Sequence, residues 1–366
     1  MEAQPATAPR KPRLEGLDVA RAFAILGMVL VNYKIAMTAE EGSQWLISLV
    51  SLLEGRAAAL FVVLAGVGVS LMFRRALATQ DPLLMSQKRK ELFKRALLLI
   101  AVGLAYSPIW PADILHFYGF YMLVALIVIQ LANRWLWWFS VALLLEFVVL
   151  LLVFDYETGW DFTTLEYLDF WQWQGMIRHI FFNGFHPVAP WAAFLIMGLW
   201  LGRQDLTSQG FRNKLLVMSI SVVVVIEGLS LLAVRWSLSA FPEVPADELV
   251  ALLGTKPMPP MPQYIISGTA SAFAMIALML TLVERAGDWI KPLVYTGQLS
   301  LTLYVAHVLI GMGTLEAVGR LYNQSIDFSV LSALVFFICG LFFAWGWRLK
   351  FSQGPLEWVF RKIARG

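Results

Sequence analysis

Long apolar runs recur along the whole chain, and they restrict what it can fold into more than any other feature. Backbone polar groups have no water to bond within a bilayer, so each run must satisfy its own as a helix. Runs of spanning length fall at roughly 19–37, 57–73, 92–108, 114–132, 135–154, 188–203, 213–234, 263–284, 297–318 and 328–348. Hydrophobic residues make up 59% of the 366 and charged residues only 14%, with a mean hydropathy of +0.69. That is too little charge to clothe a soluble domain of this length. The 15 Trp and 25 Phe suit many lipid interfaces. The expected fold is therefore all-α: a polytopic integral membrane protein with about ten transmembrane helices.

The placement of cations orients it. Of the 28 Lys and Arg, 22 fall on the side holding the N-terminus and 6 on the other, namely Lys34, Arg56, Arg178, Arg235, Lys256 and Arg320. Cations concentrate on the cytoplasmic side, so both termini are expected inside (N-in/C-in), as a multi-pass protein of the cell (inner, cytoplasmic) membrane. Residues 1–13 read as a disordered cytoplasmic tail and 14–366 as one transmembrane domain. A signal peptide is the rival for the N-terminus, but Arg21 interrupts the apolar run and no convincing cleavage site follows. A basic loop over 74–95 is expected in the cytoplasm, to orient the chain and meet anionic lipid, or to hold a phosphorylated cosubstrate. The basic residues are distributed for a bilayer, not for nucleic acid. Metal, P-loop and nucleotide-fold motifs are absent, and the single Cys339 cannot form an intrachain disulfide.

Two loops on the opposite side are long. Residues 155–187 hold Trp160, Asp161, Trp171, Trp173, His179 and His186, and 235–262 hold a Pro/Met run. Aromatics with acids suit a sugar or amine, which makes His186 a candidate binding residue; an interfacial amphipathic segment is the alternative.

Polar groups inside spans are costly and so become functional candidates. Asp18 and Arg21 can pair at the cytoplasmic edge. Asn32, eleven residues after Arg21, lies on the same helix face ~16 Å further along the axis. Asp113 and His116 are three apart at the outer end of the fourth span, where Asp113 either caps the helix or orients the imidazole. Ser300, Tyr304, His307 and Gly311 form a 4, 3, 4 stripe on the ninth span. His307 is either a neutral histidine bonded to a neighbouring helix or a general base. Glu146 and Glu227 are lone acids whose partners the sequence does not name.

Five segments in order resemble the transmembrane acyltransferase superfamily, which includes heparan-α-glucosaminide N-acetyltransferase and YeiB-type bacterial membrane proteins. They are RLEGLDVARAFAILGMVLVNY (13–33), FVVLAGVGVSLMFRRA (61–76), RKELFKRALLLIAVGL (89–104) leading to DILHFYGFYML (113–123), HPVAPWAAFLIMGLWLGR (186–203) and GQLSLTLYVAHVLI (297–310). The resemblance implies acetyl-CoA or another acyl-CoA entering from the cytoplasm as cosubstrate, and an acceptor acylated from the far side. It places Arg21 on the CoA side and Asn32 and His307 near the acyl group. Where acyltransferase-3 proteins carry a histidine in the first span this chain has Asn32, as the heparan enzyme does. That enzyme keeps a histidine in the next loop, whereas residues 34–54 here have none. The base must then be His307 or His116, or the chain does no acyl transfer.

The leading expectation is a membrane acyltransferase acting on a sugar or small-molecule hydroxyl or amine. Its candidate catalytic residues are His307, His116, Asp113 and Asn32, and its candidate binding residues are Arg21, Ser300, Tyr304 and His186. No metal is expected, and a homodimer is compatible with this reading. The alternatives are a transporter without covalent chemistry, although neither internal repeats nor paired broken helices are evident, and an inactive scaffold of the same fold. The orientation has a direct test. With Cys339 replaced, an impermeant thiol reagent on intact cells should label a cysteine at position 165 and spare one at position 85; the reverse pattern would refute the N-in/C-in topology.

Overall fold

A computed structural model describes residues 14–365; the expected tail, 1–13, lies outside the described residues. Sixteen α-helices follow in chain order. The first eight are α1 (Glu15–Ala36), α2 (Gln44–Ser51), α3 (Arg56–Thr79), α4 (Pro82–Tyr106), α5 (Leu115–Val128), α6 (Asn133–Val153), α7 (Trp173–Arg178) and α8 (Val188–Gly202). The rest are α9 (Gln209–Ala240), α10 (Ala246–Leu253), α11 (Pro262–Val283), α12 (Lys291–Gln298), α13 (Ser300–Ala306), α14 (Gly313–Ala317), α15 (Ile326–Arg348) and α16 (Pro355–Arg365). Among the described residues the only strands are the short antiparallel pair β1 (Trp160–Asp161) and β2 (Glu166–Tyr167).

Each expected span coincides with helix, and the protein is all-α and polytopic. Among the described residues, seven helical stretches are long and apolar enough to cross a membrane, and eight if the bent pair Trp173–Asn183 and Val188–Gly202 counts as one. The rest of the expected ten differ for physical reasons. Helix α5 has 14 residues, about 21 Å of rise against a ~30 Å hydrocarbon core. Helix α4 has the length but carries Lys88, Arg89, Lys90, Lys94 and Arg95 from its second turn to just past its middle.

The basic stretch expected as a loop is thus helix on both sides of a tight turn. Gln80, in the left-handed region at φ 50°, ends α3. Asp81 then caps α4 by accepting from Leu83 N and Leu84 N, with Pro82 in the first turn. Lys, Arg, Glu and Leu are strong helix formers, so the charges ride on the helix rather than breaking it.

Helix α1 runs through the middle of the bundle, packed by α3, α11, α12, α13 and α15. Helices α3 and α8 cross closely at Gly66 and Gly198. A Cβ on Gly66 would strike the Leu195 carbonyl, and one on Gly198 would strike that of Val63, so small residues set this contact as they do in membrane bundles. Helix α9 presents Val217, Val224, Leu231 and Leu232 outward, as a lipid-facing surface must. Cys339 is exposed on α15.

The two ends of the bundle differ. The basic end gathers Arg21, Arg74 and the α3–α4 turn. The far end carries the two long loops, and the first of these is a folded cap. There Trp160 Nε1 donates to the Asn183 carbonyl at 2.6 Å, and Arg178 pairs with Asp169 at 2.8 Å. The chain then bends by 48° into α8. Broken helices, not evident in the sequence, are therefore present both here and at Leu299, between α12 and α13. At the basic end Glu357 of α16 reaches the start of α13, accepting from Leu301 N at 2.8 Å, Thr302 N at 3.0 Å and the Thr302 hydroxyl at 2.5 Å. Burial holds this carboxyl above its ordinary value despite those bonds.

Candidate active site

The polar stripe of α1 connects both ends of the molecule. At the basic end Asp18 accepts from Arg21 Nη1 at 2.6 Å and from Gln298 Nε2 at 3.3 Å. The expected ion pair is formed, and it ties α1 to the end of α12. Arg21 keeps 24% of its side chain exposed. It lines a cavity of about 550 Å³ together with Asp18, Arg74, Asp205 and Thr207.

At the other end of the stripe, Asn32 Nδ2 lies 3.0 Å from His307 Nε2. The His307 ring is fully buried, and its Nδ1 faces the carbonyl of Tyr304. A carbonyl can only accept, so Nδ1 carries the ring proton. Nε2 therefore holds the lone pair, and it accepts from the Asn32 amide. His307 opens a π-helical turn, His307–Met312. Such turns often mark functional positions, and a second one begins at His179.

Tyr304 extends the network. Its hydroxyl donates to Asp113 Oδ1 at 3.1 Å and accepts from Ile114 N at 3.2 Å. Asp113 Oδ2 accepts from Leu115 N at 2.9 Å and His116 N at 3.4 Å, and stands 3.3 Å from His116 Nδ1. Asp113 thus both caps α5 and orients an imidazole. Asn32, His307, Tyr304, Asp113 and His116 form one hydrogen-bonded chain from α1 through α13 to α5. His116 Nε2 is buried without a hydrogen-bond partner among the described residues, and the ring of His179 stacks 6.0 Å from that of His116.

A second cavity, of about 680 Å³, opens at the far end. Asn32 is on its wall, with His307 behind. Phe185, His186 and Leu165 come from the first long loop, Thr255 and Lys256 from the second. His186 packs its ring on Trp191 at 4.6 Å. Arg56 also lines this cavity, donating to Glu227 at 2.7 Å, Ser267 at 3.0 Å and Ser271 at 3.1 Å. Thr255 donates to the other Glu227 oxygen at 2.8 Å, and Lys34 pairs with Glu54 at 2.9 Å.

Sequence reasoning missed Lys34 and Arg56, which counted only as exceptions to the charge bias. A cation retained on the cation-poor side, at a span end, was the available signal. Ser300 does not join the network. It is half-buried in the first turn after the break at Leu299, whereas Tyr304 and His307 of the same stripe do take part. Glu146 lies on the exposed face of α6. Among the described residues, no group of three or more His, Cys, Asp or Glu is placed to hold a metal ion.

Residues 13–241 match the family described as heparan-alpha-glucosaminide N-acetyltransferase, catalytic. Residues 201–366 match one described as protein of unknown function (DUF418). No curated protein matches the chain. The first match covers most of the chain, including α1 with Arg21 and Asn32 and the start of α5 with Asp113 and His116; the second covers α13 with Tyr304 and His307. The chain belongs to the family of the heparan-alpha-glucosaminide N-acetyltransferase catalytic domain.

Proposed function

We propose that the protein transfers an acetyl or other acyl group from cytoplasmic acyl-CoA to a hydroxyl or amine of a sugar or other small molecule on the opposite side of the membrane. The observation that supports this best is the Asn32–His307 pair. It joins a cavity wall to a buried imidazole, and the same helix carries Arg21 into a second cavity at its other end.

Each group has a task in that reaction. Arg21 and Arg74 would hold CoA phosphates, for which guanidinium is the best-matched side chain. The acceptor displaces the Asn32 amide from His307 Nε2 and gives that nitrogen its proton as it attacks the thioester carbonyl. A bond forms from acceptor to acyl carbon and the C–S bond breaks. The proton passes from the imidazolium to the thiolate, leaving CoA as the free thiol and the acceptor acylated. The freed Asn32 amide can donate to the oxygen that carries charge in the tetrahedral intermediate. Tyr304 holds the ring through its carbonyl, and Asp113 holds Tyr304. The two cavities have no lining residue in common, which fits separate donor and acceptor mouths at opposite ends of α1.

The breaks at Leu299 and before α8 favour one rival, a transporter, since broken helices commonly form solute sites. Cosubstrate binding separates the two. Acetyl-CoA or CoA should raise the thermal midpoint of the wild-type protein, and Arg21→Ala should weaken that shift while folded protein still accumulates in the membrane. No shift in the wild type would remove the acyltransferase reading. Loss of folding in the variant would assign Arg21 to the structural pair with Asp18.

The base is tested by turnover. His307→Ala should lower acyl transfer by roughly 10²-fold or more, with acyl-CoA binding and expression little changed. His116→Ala should cost less and act mainly on the Michaelis constant of the acceptor. Wild-type turnover in the His307 variant at saturating acyl-CoA would reduce that residue to packing. Collapse only in the His116 variant would move the base to the outer end of α5.

A further inference from the structure

A narrow crevice of about 240 Å³ lies between α1, α3 and α11. Phe23, Leu26, Leu30, Leu60 and Met275 wall it with hydrocarbon. It is open sideways, since Phe23 and Leu52 on its rim are exposed. Its only polar side chains are Arg56 and Ser271, themselves hydrogen-bonded at 3.1 Å. The crevice adjoins the far cavity: Leu52, Leu53, Arg56 and Ala57 line both.

A water-soluble acceptor reaching the far cavity from the aqueous side would need no apolar side entrance. An apolar void facing the bilayer does not hold water, and here it runs ~10 Å along α1 from Phe23 to Leu30. A chain lying in it would deliver its head group beside Arg56, on the cavity wall that Asn32 shares. The charges around that cavity balance: Lys34, Arg56 and Lys256 stand against Glu40, Glu54 and Glu227. Most are already paired, so the cavity suits an uncharged or zwitterionic head that offers hydroxyl or amine groups, not a strongly charged one.

We propose that the crevice holds the hydrocarbon chain of a membrane-anchored acceptor whose polar head enters the far cavity past Arg56. The acceptor role rests on the acyl-transfer reading; the binding of a lipid chain does not.

The test uses the full chain in phosphatidylcholine nanodiscs and an alkyl glucoside bearing a diazirine in its chain. Photolabel should fall saturably on residues 23–30 and 271–275. Dodecyl glucoside should suppress it and methyl glucoside should not. Leu30→Trp and Met275→Trp, which fill the crevice from different helices, should each weaken labelling about tenfold. Label spread equally over the lipid-facing surface of α9, or unchanged in both variants, would overturn the proposal. CoA release from acetyl-CoA is read on the same preparation. Preference for dodecyl over methyl glucoside supports the anchored acceptor, and equal use of both overturns it. No release with either, beside specific labelling, would remove the acyl-transfer reading and leave the lipid site standing.

Discussion

A neutral imidazole has one donor and one acceptor, and away from water both need partners. His307 meets that demand twice over, with Nδ1 toward the Tyr304 carbonyl in its own helix and Nε2 toward Asn32 of α1. The second bond determines much else. It sets α13 against the central helix, fixes the ring tautomer, and leaves the lone pair of Nε2 one hydrogen bond from a cavity wall. Had both nitrogens been tied to backbone, the ring would be packing; here one partner is a side-chain amide on a cavity wall, as the proposed base requires.

The surrounding fold holds that bond in place. Tyr33 donates to the His307 carbonyl at 3.3 Å, so α1 and the π turn are joined a second time. Asp113 links the start of α5 to Tyr304, and Glu357 links α16 to the first turn of α13. A helix interrupted at Leu299 has unpaired backbone groups at its new start, and the Glu357 carboxylate satisfies two of them. The break that would weaken an isolated span is thereby stabilised.

Much of the architecture was legible because span length and apolar content are direct physical requirements of a bilayer. The candidate site was legible in part for the same reason: polar residues at membrane depth are rare, so Asn32, Asp113, His116, Tyr304 and His307 stood out one by one. Their union in one network was readable only in part: the resemblance brought Asn32 and His307 together and spacing paired Asp113 with His116, but the link from Tyr304 to Asp113 spans 191 positions. Ser300 shares its stripe with Tyr304 and His307 but sits in the first turn after a break at Leu299 that nothing in the nearby composition announced. The basic segment after Arg74 failed for the opposite reason: charge suggested a loop, while a Pro-initiated, Asp-capped start made helix. Arg56 and Glu227 were each visible, but a salt bridge spanning 171 positions leaves no local trace.

The central claim is that Asn32 and His307 act as one unit in acyl transfer, and a double-mutant cycle tests it most directly. Turnover of acetyl-CoA would be measured for the wild type, Asn32→Ala, His307→Ala and the double variant, each confirmed as folded in membrane. If the pair is one unit, the double variant is no slower than His307→Ala alone. If the two single losses multiply in the double variant, the residues act independently and the account of a shared site is contradicted.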